Sequence, residues 1–159
     1  MDIDINFWER RSFMSHNYLC PRCRAALYDQ TSNKIVLTGK LRGSHFDVTG
    51  TFELNHQKDE FGGTIRDCPQ VSVEKGARVD FFCPHCGFDL SPAYDQELTE
   101  LIHVDEAGAE KAFFISKISG KEMSFLISKE TKEVIRSYGK DKDDYMNRFV
   151  EYFHLWNKF

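Results

Sequence analysis

Apolar and polar positions alternate in several short runs, and one longer segment near the end repeats its apolar residues at helical spacing. Lys34–Leu41 is rich in β-formers, Arg42-Gly43-Ser44 interrupts it, and 45–54 resumes with Phe46, Val48, Thr49 and Phe52. Two such runs about a glycine turn predict a hairpin. Residues 71–73 and 78–82, around the turn Glu74-Lys75-Gly76-Ala77, predict a second one. Ser91 as cap, with Pro92 at the first helical position, predicts a short helix reaching Glu100. Beyond it, 101–104, 112–118, 123–128 and 134–137 are short apolar runs separated by polar turns, the pattern of an antiparallel meander. The last element is a helix capped by Asp141, with Asp143 and Asp144 at the positive end of its dipole. Tyr145, Met146, Phe149, Val150, Tyr152, Phe153 and Trp156 fall on one side of it, an apolar face suited to covering the meander. In residues 1–19, Ile3, Ile5 and Phe7 alternate and then the pattern is lost, so strand and short helix both stay open.

Composition makes this a folded chain. Of 159 residues, 41% are hydrophobic and 14% aromatic, with 14 phenylalanines, which suffices for a real core in one domain or a domain with a small appended module. No apolar run approaches the ~18–20 residues that span a bilayer. The acidic start, Asp2 and Asp4 among isoleucines, is unlike a basic leader, and the five cysteines include four in metal-type pairs. Both features predict a cytoplasmic protein. The net charge of −4 becomes more negative still if four thiolates hold one divalent ion. That balance disfavours nucleic acid as a general partner.

The chemistry concentrates in Cys20-Pro21-Arg22-Cys23 and Cys83-Pro84-His85-Cys86. Cysteines two residues apart can aim both sulfurs at one ion when the chain between them turns tightly, and proline after the first favours that turn. Together the pairs supply the four thiolates of a tetrahedral Zn²⁺ site, with Cys20, Cys23, Cys83 and Cys86 as ligands. The runs resemble the zinc-ribbon family, whose usual half-site is Cys-Pro-x-Cys-Gly. Gly87 fits it, whereas Arg24 stands in the glycine position, so the first knuckle is expected to bend differently. Residues 24–82 separate the pairs, far more than the ~12–20 of a simple ribbon. The resemblance therefore implies an expanded zinc ribbon over 1–90 with an antiparallel β insertion at 24–82. The meander and terminal helix of 91–159 would pack on it, giving a β-rich α+β fold in one compact unit. A second resemblance competes. Asp80–Cys86 is similar to the active-site run of the disulfide-introducing thioredoxin relatives of bacterial periplasm, which implies a redox dithiol at Cys83 and Cys86. Gly87 and Pro92 interrupt the long helix such a site opens.

Other signals are weaker. Cys68 lacks a neighbouring cysteine and is expected to be an ordinary thiol. His85 could ligate only by displacing a cysteine. Gly62-Gly63 lacks the flanking residues of a phosphate loop. Arg10, Arg11, Arg22 and Arg24, interleaved with Trp8, Phe13 and Tyr18, could form a basic-aromatic surface for nucleic acid. No catalytic constellation stands out, and a four-thiolate zinc has no open position for water. The leading expectation is a non-enzymatic, zinc-stabilised module that binds a protein partner, with no membrane association. The alternatives are a nucleic-acid-binding ribbon and a thiol oxidoreductase.

Overall fold

A computed structural model describes residues 17–54, 64–65 and 68–148, with side chains for 17–54 and 73–148. Among these, eleven strands follow one another: β1 (Asn17–Leu19), β2 (Tyr28–Asp29), β3 (Lys34–Leu41), β4 (Val48–Leu54), β5 (Thr64–Ile65), β6 (Cys68–Ser72), β7 (Val79–Phe82), β8 (Leu98–Val104), β9 (Glu110–Ser116), β10 (Ser124–Ser128) and β11 (Val134–Tyr138). A helix, α1, occupies 142–148. The fold is thus strand-rich and antiparallel, with a short C-terminal helix.

The first predicted hairpin forms, in register from Ile35↔Leu54 to Leu41↔Val48. Its second strand starts at Val48 because Asp47 is held in the turn, accepting from the Gly43 N–H at 3.2 Å and from Arg42. The meander also forms, as β8-β9-β10-β11, and β1 pairs with the free side of β8 to complete a five-stranded sheet.

Two local expectations are corrected. Residues 71–73 and 78–82 do not pair: β6 joins β5 in a separate ribbon, while β7 adds to β3 from Thr38↔Phe82 to Leu41↔Val79. The turn between them packs elsewhere, with the Gly76 N–H donating to the Ser119 carbonyl at 2.7 Å. Nor does a helix run from Ser91 to Glu100. Asp89 and Asp95 capture the N–H groups of Ser91 and Glu97, each at 2.9 Å, and turn the chain instead. Leu98, Thr99, Leu101 and Ile102 are then buried on both faces of a central strand. A segment apolar on both sides suits a strand flanked by β1 and β9 better than a one-sided helix.

The molecule is layered. One face of the five-stranded sheet presents Tyr18, Leu101, Phe113 and Ile115 to Leu27, Ile35, Leu37, Phe52, Val79 and Phe81 of the β2-β3-β4-β7 sheet and its approaches. The other presents Leu98, Phe114, Phe125 and Ile127 to Met123 and to Tyr145 and Met146 of α1. The Tyr145 hydroxyl meets Ser116 Oγ at 3.0 Å, and Arg148 reaches Glu97 at 2.6 Å. So the helix covers the meander over its described length. Phe149, Val150, Tyr152, Phe153 and Trp156 lie outside the described residues, as do Trp8, Arg10, Arg11 and Phe13. Among the described residues, no helix is long and apolar enough to cross a membrane.

Candidate metal centre

Each cysteine pair sits where a strand ends. Cys20 follows β1 and Cys83 follows β7, and both strands are held by partners distant in sequence, β8 and β3. The turn that follows is the same in both cases. The N–H of Arg24 donates to the Cys20 carbonyl and that of Gly87 to the Cys83 carbonyl, both at 2.9 Å. Cys20 N–H returns to the Ala25 carbonyl at 3.1 Å, Cys83 N–H to that of Phe88 at 2.9 Å. The Arg22 and His85 N–H groups each point at the first sulfur of their pair, at 3.4 Å. Such donors favour a thiolate over a thiol.

The expectation that the first knuckle bends differently is therefore corrected. Arg24 adopts φ 63° beside the 75° of Gly87. A side chain in this left-handed region is strained. The Arg24 guanidinium is fixed outside the turn by two hydrogen bonds to the Glu110 carboxylate, one of them 3.1 Å long, which hold its pKa up and that of Glu110 down.

The four sulfurs converge. All of Cys20, Cys23, Cys83 and Cys86 Sγ lie within 4.8 Å of one another, with Cys20–Cys86 at 3.8 Å and Cys23–Cys83 at 3.7 Å. A tetrahedron of ligands with bonds of ~2.3 Å has edges of about 3.8 Å, so the donor set fits a thiophilic metal ion. Cys20 and Cys83 are buried, whereas Cys23 and Cys86 are exposed. As free thiols these would be poorly matched. Burial pushes Cys83 up to about 12, while the Phe88 N–H holds Cys86 low. A cation at the centre removes the penalty on the buried thiolates. The same contrast counts against a redox dithiol, whose first cysteine should be the activated one. Furthermore, a strand leads into Cys83 and a turn follows it, with no helix to lower its pKa.

The equivalence extends beyond the turns. Tyr18 pairs with His103 as Phe81 pairs with Gly39, and Leu19 with Ile102 as Phe82 with Thr38. After each knuckle a buried leucine follows. Leu27 donates to the Tyr18 carbonyl and accepts from Val36 N–H; Leu90 donates to Phe81 and accepts from Glu100 N–H. Each leucine thus leads into a hairpin, β3-β4 or β8-β9. The chain therefore contains two copies of one strand–knuckle–hairpin unit, related by an approximate two-fold through the cysteine cluster. Each unit's first strand pairs with the other unit's hairpin. In sequence the signal was faint but present: Asn17-Tyr18-Leu19-Cys20 against Asp80-Phe81-Phe82-Cys83, and Leu27 against Leu90.

The remaining candidates fall away from the cluster. The backbone of Cys68 opens β6 opposite Ile65, and its side chain is outside those described. His85 turns its backbone N–H to the Cys83 sulfur. Of the basic-aromatic set, Arg24 is engaged by Glu110, Arg22 lies over the Phe88 ring at 5.5 Å, and Tyr18 is buried. Gly62 and Gly63 lie outside the described residues. No family model, curated protein or solved structure matches the chain.

Proposed function

We propose that this protein is a non-enzymatic, zinc-stabilised protein-interaction module, an adaptor or accessory subunit of a larger cytoplasmic complex. One structural Zn²⁺ is held by Cys20, Cys23, Cys83 and Cys86 in an expanded zinc-ribbon arrangement. The observation that carries this reading is the closed donor set: four thiolates from two matched turns fill a tetrahedron and leave no position at which water could be activated. The surface supports a protein partner. β11 ends the order β1-β8-β9-β10-β11, so among the described strands none pairs with its outer side. Ile135 and Tyr138 on that strand are 45% and 44% exposed. An edge strand with apolar side chains is suited to strand addition by an extended segment of another chain.

The test has two parts. Elemental analysis of the purified protein is expected to give one zinc per chain, lost in Cys23→Ser. A protein that co-purifies with the wild type should be absent from Ile135→Lys, a surface change that leaves the metal content intact. Retention of the same partner by Ile135→Lys would remove β11 as the contact. Release as a lone chain from native extract would count against the adaptor reading altogether.

A further inference from the structure

Just beyond the second knuckle the two-fold relation breaks. In the first unit Leu27 runs directly into β2, which pairs back on Ile35 and Lys34. In the second, the connection from Leu90 to Glu100 is one residue longer than that from Leu27 to Val36, and it bows outward through the Asx turns at Asp89 and Asp95. The bow opens a cavity of ≈ 830 Å³. Phe88, Leu90, Pro92, Ala93 and Tyr94 line it, together with Pro21 of the first knuckle.

Its charged groups have one sign. Asp89 and Glu100 line the cavity with Ser91 and Gln96, and no lysine or arginine does. Glu100 occupies the place that Val36 has in the first unit, where the residue is apolar. Its carboxylate accepts one hydrogen bond, from the Tyr94 hydroxyl at 3.2 Å, and burial pushes its pKa up. Lys129 and Lys132 oppose that shift from outside the lining. Ser91 Oγ is already committed to Asp89 at 2.7 Å and to the buried Lys117 ammonium. A carboxylate in a largely apolar pocket gains most from a ligand that brings a positive charge into contact with it. The rings of Phe88 and Tyr94 add faces that attract cations, and Arg22 already lies over one face of Phe88 at 5.5 Å. An anion would meet two carboxylates. A neutral apolar ligand would cover Glu100 and leave it only Lys129 and Lys132, outside the lining, as counter-charges.

We propose that this cavity binds an alkylammonium group, its charge at Glu100 and its stem against Phe88, Pro92 and Tyr94. The site is separate from the β11 edge, so it stands whether or not a protein docks there. The same ammonium chemistry could arrive as a free amine or as a lysine side chain of another chain, and the experiment separates them. The full-length metal-bound protein, ¹⁵N-labelled, is titrated with n-pentylamine hydrochloride, with n-pentanol, and with a lysine capped at both ends. Saturable shifts at the amides of Phe88, Leu90, Tyr94 and Glu100 are expected with the two ammonium compounds and not with pentanol. Tighter binding of pentylamine assigns a free amine, and tighter binding of the capped lysine assigns a side chain. Glu100→Gln, and Gln96→Lys at an exposed position on the rim, should each weaken the ammonium response by about tenfold or more. No response to either ammonium compound, an equal response to pentanol, or undiminished binding in both variants overturns the proposal.

Discussion

Asp80 collects three cations on one buried carboxylate: Arg42 Nε at 2.6 Å, Lys117 Nζ at 3.1 Å and Arg78 Nε at 3.2 Å. It stands on β7, in the sheet of β3, whereas Lys117 follows β9 of the five-stranded sheet, so the pair ties the two sheets together close to the cavity. Burial pushes its pKa up, but the hydrogen bonds from Arg42, Lys117 and Arg78 outweigh it and hold the carboxyl below the usual range. A depressed carboxylate stabilises the fold at pH values above its unfolded pKa of about 4, and that stabilisation is lost as pH falls through the lower folded value. Wild-type stability, read from urea midpoints, should therefore drop below pH ~4, and Asp80→Asn should flatten that part of the profile. At neutral pH the same substitution leaves the Lys117 ammonium, 1% exposed, without its counter-charge. A cost of about 3 kcal/mol is expected. Lys117→Met should cost less, since Asp80 keeps both arginines, and the double variant should recover part of the loss. Arg24 offers a second test at this scale. If its left-handed backbone is strained, Arg24→Gly should match or exceed the wild-type melting temperature despite losing Glu110. Arg24→Val, which loses the same ion pair and adds a branched side chain, should melt lower.

Within the elements, close packing explains what composition alone does not. Gly39 interrupts the apolar side of β3 after Ile35 and Leu37, and a Cβ there would lie 2.3 Å from Phe52 Cδ1 and 3.0 Å from Val79 Cγ1. Phe52 is 1% exposed and stacks edge-on against Phe81 with ring centroids 5.6 Å apart. Its ring uses the space the glycine leaves. Gly39→Ala should cost about 1–3 kcal/mol by chemical denaturation, as overpacking does, with a change in the near-ultraviolet signal of the aromatic cluster. β3 and β4 were readable in advance because one face alternates cleanly, and the meander because its turns are short and polar. The cysteine cluster was readable because Cys-x-x-Cys spacing sets two sulfurs side by side within four residues. What escaped was non-local. β7 has a local candidate partner in 71–73 but pairs with β3, and nothing in its own periodicity names that strand. Residues 98–104 carry the burial of a central strand, yet Ser91-Pro92 is a sound helix-start signal whose alternative, two Asx turns, is equally local. The cavity at Glu100 exists only as a difference between two copies, and it could not be seen before the copies were.

At the scale of the molecule, the exchange of first strands makes the cysteine cluster more than a local clip. β1 closes the open side of β8, and β7 closes that of β3. Each hairpin thus takes a neighbour for its first strand from the chain segment that the other knuckle anchors. The cysteine cluster lies on the approximate two-fold, with the buried Cys20 and Cys83 at matched positions and the exposed Cys23 and Cys86 likewise. Two consequences are expected. Chelation under reducing conditions should lower the melting temperature by about 10 °C or more, since each kcal/mol of metal-linked stability corresponds to about 2–4 °C at this size. Cys23→Ser and Cys86→Ser, equivalent by the two-fold, should bring equal losses of metal and stability, although one lies in a knuckle with arginine and the other in a knuckle with glycine. Hydrogen exchange then tests the coupling directly. If the exchanged strands bind the units into one cooperative structure, amides of β3 and β8 lose protection together when the metal is removed. Protection that persists in β8 while β3 opens would show that the five-stranded sheet stands on its own core of Phe114, Phe125 and Tyr145, and that the metal serves only the first unit.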